Sequence, residues 1–246
     1  MISSLTNHRS IRRYTDKDIS RELLAEILKA GIRASNTGNM QLYSVVVTRD
    51  AALKRQLAPA HFNQPMITNA PVVLTFCADI NRFVKWCRLR NANVGFDNAE
   101  TLVSAIIDTS LFAQNVCLSA EEHGLGVCYL GTTTYNPDQI IRVLNLPKGV
   151  MPITTVSVGF PAETPELTSR LPLNAVVHDE QYHDYSDADI ENAYLEMEKD
   201  PKNQVFIQEN KKENLAQVFA EVRYAKESNE HFSQVLLDTL KQQGMI

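Results

Sequence analysis

The stretch APVVLTFCAD, Ala70 to Asp79, is a continuous apolar run bounded by Pro71 and Asp79. It predicts a strand buried on both faces. Downstream, NRFVKWCRLRN (81–91) reads as a helix, and NAETLVSAIIDTSLFAQNVCLSAEEHGLG (98–126) as the longest helical stretch. The latter is apolar nearly all round, through Leu102, Val103, Ile106, Ile107, Leu111, Phe112, Val116 and Leu118. Such a helix is central or lies in a subunit interface, and Gly124 ends it with a left-handed cap. LGVCYLG (125–131) is a further strand, NPDQIIRVLNLP (136–147) a helix with Asn136 as N-cap and Pro137 at its first position, and MPITTVSVGFP (151–161) a strand broken by Gly159 and Pro161.

Upstream, YSVVVTRD (43–50) is a short β-branched strand, and AALKRQLAPA (51–60) a short helix stopped by Pro59. DISRELLAEILKAGIRAS (18–35) is an amphipathic helix with Asp18 or Ser20 as N-cap. Strands and helices mix without the strict alternation of a doubly wound sheet. The predicted class is α+β: a small sheet flanked by helices. After about Asp184 the composition turns richer in Glu and Lys, and two or three surface helices are expected. The expected division is a core over 1–185 and a helical C-terminal extension over 186–246, part of the same functional unit.

A chain of 246 residues, 44% hydrophobic, supports one sizeable domain or one with an appendage. Its net charge of −5 argues against general binding of nucleic acid or anionic membranes. No apolar run approaches the roughly 20 residues of a membrane span, and MISSLTNHRS lacks an apolar signal core, so a cytoplasmic protein is expected. Cys77, Cys87, Cys117 and Cys128 form no C-x-x-C pair and read as buried free thiols, and the scattered histidines predict no metal.

Against that acidic background, NHRSIRRYTD (7–16) gathers His8, Arg9, Arg12 and Arg13. It is either a solvated basic stretch or an anion cradle, because arginine forks match phosphate oxygens and Ser10 adds a hydroxyl. A second polar island, ASNTGNMQLY (34–43), offers Ser35, Asn36, Thr37, Asn39 and Gln41; a third is YLGTTT (129–134), where Gly131 permits close backbone approach. A fourth, ELTSRLP (166–172), carries Arg170. There is no G-x-G-x-x-G after a strand, no P-loop and no G-x-S-x-G. Glu121 and Glu122 are neighbours on a helix and are expected to face apart into solvent. A chain with no visible acid, base, nucleophile or metal often borrows its chemistry from a cofactor.

HRSIRRYTD, ASNTGNMQ, GLGVCYLG and SVGFPAETPEL with RLP (170–172) together resemble the FMN-dependent nitroreductases, closest to the larger oxygen-insensitive NADPH enzymes and flavin reductases. The resemblance implies a homodimer with FMN at each interface, and NADPH (or NADH) as reductant. It implies small-molecule electron acceptors, nitroaromatics or quinones, reduced by ping-pong two-electron transfer, with the chemistry at N5 of FMN and no catalytic residue of the protein's own. By position, His8, Arg9, Ser10 and Arg12 would hold the phosphate and ribityl chain, Asn36 the flavin or its hydroxyls, and Gln64 the ring. Tyr129, Leu130, Gly131 and Thr132 would pass the ring, and Arg170 would meet the phosphate. Thr168 and Ser169 replace the subgroup's Lys-Pro, removing a positive charge from the flavin's N1–O2 edge, which would lower the flavin potential. Arg223 is the candidate for the NADPH 2′-phosphate. Alternatives are a flavin reductase releasing reduced FMN, and a non-catalytic flavin-binding redox sensor.

Overall fold

The structure is a computed structural model and describes residues 3–246. Among these, strands β1 Tyr43–Thr48, β2 Val72–Asp79, β3 Gly126–Leu130 and β4 Val150–Gly159 form one antiparallel sheet of order β1-β2-β4-β3. The helices up to β4 are α1 Ser3–Thr6, α2 Arg21–Gly31, α3 Ala51–Leu57, α4 Pro65–Asn69, α5 Asn81–Leu89, α6 Ala99–Glu122 and α7 Pro137–Leu144. After it come α8 Asp187–Lys199, α9 Pro201–Glu209, α10 Leu215–Gln217, a π-helical turn Val218–Arg223, and α11 Lys226–Gln243. The chain divides into two compact units, one running to Glu166 and resuming at Phe232–Ile246, the other Leu167–His231. The first is the predicted α+β sheet. The second has its own core, in which Ile207, Leu215 and Val218 meet Met197, Phe206 and Phe219.

All eight residues of β2 are buried. Val72, Leu74 and Phe76 point to one face, where Val127, Val156 and Val158 join Leu24 and Ile27 of α2 and Phe112, Val116 and Ala120 of α6. Val73 points to the other, with Leu57, Ile67, Leu130 and Ile140. Helices cover both faces, so this antiparallel strand has no polar side and reads as an unbroken apolar run.

Local signals set the helix ends. The Ser20 hydroxyl caps α2 by accepting from the Leu23 amide at 3.1 Å, while Asp18 instead meets Arg49 at 2.9 Å. Asn98 caps α6 through the Thr101 amide at 2.9 Å, and Gly124, at φ +74°, follows its end. α3 stops at Leu57, and Pro59 falls in the first turn of a 3₁₀ segment, Ala58–His61, where its missing N–H leaves no bond unmade. Pro137 opens α7 as expected, but the Asn136 amide donates to the Ala60 carbonyl at 3.1 Å rather than capping the helix.

α6 corrects the expectation that no apolar run is long enough for a membrane. It is 24 residues long, and by length and composition alone it could cross one; 56% of that apolar stretch is buried inside the protein. It also carries the fully buried Asp108, so it reads as the core helix of the first unit. Val103, Ile107 and Leu111, four residues apart, remain exposed along one stripe. All four cysteines are buried and unbridged, and burial pushes the Cys77 and Cys117 thiols up to about 12.

α2 and α6 touch through Gly31, where an added Cβ would stand 2.2 Å from Cγ2 of Val116 and 2.9 Å from Cε2 of Phe112. Gly31→Ala should therefore cost about 1–3 kcal/mol in urea unfolding. Gly95→Ala, whose Cβ would meet nothing within 4 Å, should be close to neutral in the same assay.

Candidate functional site

The basic N-terminal stretch is a strap laid on the free edge of β3. Ser10 bridges Val127 in parallel sense, and the Ile11 amide donates to the Val127 carbonyl at 2.9 Å. The approach is close because residue 126 has no side chain: a Cβ there would stand 2.6 Å from Ile11. The strap is held again further on. The Tyr14 hydroxyl lies 2.6 Å from the Ile11 carbonyl and 2.8 Å from Oγ of Ser157, and burial raises its pKa. The Thr15 amide donates to Phe160 at 2.9 Å, and the Ala162 amide to Arg13 at 3.0 Å. One carboxylate oxygen of Glu163 accepts the Arg12 and Arg13 amides at 2.7 and 3.1 Å. The backbone is therefore fixed while the Arg12 and Arg13 side chains stay exposed.

His8 and Arg9 sit at the other end of the strap. His8 Nδ1 is 2.7 Å from Oε1 of Glu121. Glu121 is thus not a solvated surface acid, as its pairing with Glu122 suggested. The last turn of α6 lies under the strap, burial raises its carboxyl pKa, and the His8 hydrogen bond opposes that rise. Glu122 stays exposed and accepts the Ser4 amide at 3.2 Å. Arg9 lines a cavity of about 380 Å³ with Glu121, Glu122 and Glu163. Its Nε is buried without a hydrogen-bond partner.

Along β3 the strap leads to the third polar island. Val127, the partner of Ser10, and Gly131 are four residues apart on an extended chain, about 13 Å at the usual rise per strand residue. Gly131 is exposed, and a Cβ there would meet nothing within 4 Å. Tyr129 is exposed and Leu130 buried. Thr132, in the 3₁₀ turn Gly131–Thr134, has its Oγ1 2.9 Å from Nδ1 of His61 and 3.4 Å from Nε2 of Gln64. His61 is fully buried, which holds its pKa down to about 4, and its Nε2 has no partner.

Asn36 belongs to a separately held loop. Asp108, buried in α6, accepts the Thr37 amide at 2.8 Å and the Leu42 amide at 3.3 Å, and Arg82 donates to the Tyr43 carbonyl at 3.0 Å. Oδ1 of Asn36 is buried and without a partner. Thr168, Ser169 and Arg170 are exposed residues of the second unit, where Arg170 folds back on Oγ1 of Thr168 at 2.6 Å. Arg223, in the same unit, stacks over the Phe206 ring at 4.3 Å.

The geometry therefore joins residues 8–12, 127–132 and 61–64 into one line, and holds Asn36 by other bonds. Sequence reading passed over Asp108, Glu163 and His61. Each carried a faint signal: an acid inside an apolar helical stretch, and two side chains within segments already singled out, GFPAETPEL and HFNQPM.

Residues 5–160 match the sequence model described as the nitroreductase family. The chain is 35% identical over 181 residues to the "Oxygen-insensitive NADPH nitroreductase" of Salmonella typhimurium, covering 74% of each chain. It is 35% identical over 184 residues to the "FMN reductase [NAD(P)H]" of Bacillus subtilis, again 74% of each. Among solved structures, a Bacteroides fragilis protein superposes with a TM-score of 0.97 at 55% identity, covering 99% of both chains.

The buried His61 gives a test of stability against pH. Its ordinary pKa is 6.5, and the folded chain holds it near 4. Between those values the unfolded chain binds a proton that the folded chain refuses. Stability should fall as pH drops from about 6.5 to about 4 and flatten below, by about 3 kcal/mol from this residue. Urea midpoints at pH 7, 5.5 and 4.5 should show the fall, and His61→Gln should lose much of that slope. An unchanged slope would assign the acid sensitivity to other groups.

Proposed function

The chain belongs to the nitroreductase family, and on that footing we propose that it is an FMN-dependent NAD(P)H oxidoreductase that reduces nitroaromatics or quinones. The observation that carries this reading is the strap on β3, which fixes an arginine-rich backbone on the same strand line as the open Gly131. The residues fit the cofactor. Nε of Arg9 and Oδ1 of Asn36 are buried polar atoms without partners, the Arg12 fork is exposed, and nothing crowds Gly131.

In this reading Arg9, Ser10 and Arg12, with His8 braced by Glu121, hold the phosphate and ribityl chain, and Arg170 adds a second arginine fork. Tyr129, Leu130, Gly131, Thr132 and Gln64 border the ring, and Asn36 meets the flavin or its hydroxyls. Thr168 and Ser169 stand where the subgroup has Lys-Pro, and Arg223 is assigned to the 2′-phosphate of NADPH. FMN bound there would supply the two-electron redox chemistry between NAD(P)H and the acceptor. The chain's own part is binding and orientation. Arginine forks neutralise the phosphate, and glycine at 131 lets a flat ring approach the backbone.

We propose a homodimer in which the exposed stripe of Val103, Ile107 and Leu111 is covered by a second copy. The core over 1–185 and the extension over 186–246 work as one unit, in the cytoplasm. The Bacillus subtilis relative, at the same 35% identity as the nitroreductase, favours a second reading: a flavin reductase that releases its reduced flavin.

The absorption spectrum of the purified protein, followed by anaerobic NADPH, tests both. Flavin bands that bleach and return with a nitroaromatic support the first reading. Flavin that leaves the protein on reduction supports the second. Bands that NADPH does not bleach would leave only a flavin-binding protein. Arg12→Ala should weaken FMN binding roughly tenfold or more, the loss of one charge-assisted contact; unchanged affinity after dialysis would remove Arg12 from the phosphate site. Thr168→Lys should raise the flavin midpoint potential by about 30 mV for each 1.4 kcal/mol that the new charge gives the reduced state. A potentiometric titration that shows no change would mean that residue 168 does not face the ring.

A further inference from the structure

Three polar groups converge on one hydroxyl. Oγ1 of Thr132 lies 2.9 Å from Nδ1 of His61 and 3.4 Å from Nε2 of Gln64. An amide nitrogen only donates, so the Thr132 oxygen accepts from Gln64. The hydroxyl has one hydrogen to give, and His61 Nδ1 is the other atom bonded to it among the described residues. If Nδ1 carried the proton, both neighbours would donate to the two lone pairs of the Thr132 oxygen and the hydroxyl hydrogen would turn away from this cluster. The arrangement that keeps the hydroxyl hydrogen inside the cluster runs from the Gln64 N–H to the Thr132 O–H to a bare Nδ1, with the histidine proton on Nε2.

This arrangement is costly in two places. Nε2 of His61 is buried with no partner, which folded proteins rarely leave so. Between His61 and Gln64 the chain turns through Phe62 and Asn63, both left-handed at φ 52° and 56° though neither is glycine, and such strain persists only where the surroundings over-determine it. Burial, with no charged group among its causes, keeps His61 neutral down to about pH 4. A cation would donate from both nitrogens and break the line.

We propose that His61 is a positioning residue for Gln64: neutral and protonated on Nε2, it accepts the Thr132 hydroxyl, so that this oxygen receives the Gln64 amide N–H and the Gln64 carbonyl is turned to accept an N–H of the bound flavin. The proposal rests on the FMN reading for its last step only. His61 touches no cofactor; it acts through Thr132.

The test has two arms. In the flavin-free protein, ¹⁵N NMR of labelled histidine should show the His61 ring protonated on Nε2 with Nδ1 bare, and Thr132→Val should shift the Nδ1 signal. A proton on Nδ1, or no response to Thr132→Val, would overturn the arrangement whether or not FMN binds. In the second arm, FMN affinity is measured by quenching of flavin fluorescence. Thr132→Ser, which keeps the hydroxyl, should bind within about twofold of the parent protein. Thr132→Val and His61→Leu should each lose roughly three- to tenfold, and the double variant no more than either single one. Additive losses, or loss in Thr132→Ser equal to that in Thr132→Val, would overturn the relay, and thermal melts would confirm that each variant is folded. A parent protein that binds no FMN would sink the functional reading and the flavin step, leaving the NMR arm to decide the His61–Thr132 contact.

Discussion

The amide of Ile11 donates to the carbonyl of Val127 at 2.9 Å, and this single register fixes what the N-terminal segment can do. Without it, Arg9, Ser10 and Arg12 would be a charged tail in water. With it, they are attached to the edge of β3, which runs at Leu130 into the 3₁₀ turn holding Gly131 and Thr132. The register depends on an absence: Gly126 leaves room that Ile11 fills, since a Cβ there would stand 2.6 Å from it. Glu163 then accepts the Arg12 and Arg13 amides. A carboxylate in that place settles the backbone donors and also pairs with the Arg13 guanidinium at 3.8 Å, while the exposed Arg12 fork touches the chain through the Ser10 carbonyl at 3.4 Å.

A second constraint recurs around the candidate site: buried polar groups hold loops rather than react. Asp108 accepts two backbone amides of the 37–42 segment. Lys54 is buried and donates to the Ala70 carbonyl at 2.6 Å, with its pKa lowered by desolvation. His61 holds Thr132. Each is costly to bury and is kept by hydrogen bonds that an apolar residue could not make. Such groups define one loop conformation where a purely apolar core would allow several. That suits a site whose chemistry comes from a bound group, because the protein's part is then placement.

The four strands and the long helix were legible in the sequence, because each rests on a one-dimensional pattern. APVVLTFCAD could be read as a doubly covered strand, and LVSAIIDTSLF as a helix that is central or lies in a subunit interface, from apolar spacing alone. Of the two N-cap candidates Asp18 and Ser20 the structure uses Ser20, and Gly124 follows the end of α6 as read; the cap at Asn98 was not read from the sequence. The same logic misread Pro59 by two residues and assigned Asn136 a cap that its side chain does not make, since a tertiary partner, the Ala60 carbonyl, competed for it. It also treated Glu121 and Glu122 alike, although one lies under the strap and the other faces water.

The sequence by itself determined the residue inventory of the site: a basic stretch, uncharged polar islands, a glycine at a strand end, and no nucleophile motif. These are matters of composition and short-range order, written along the chain. Only the tertiary structure decided which of them meet. Ser10 and Val127 are far apart in sequence, as are Gln64 and Thr132, and Arg12 and Glu163, and no periodicity encodes such pairings. The physical reason is that a hydrogen bond specifies a partner by position in space, and that position exists only once helices cover both faces of the sheet and fix its edges.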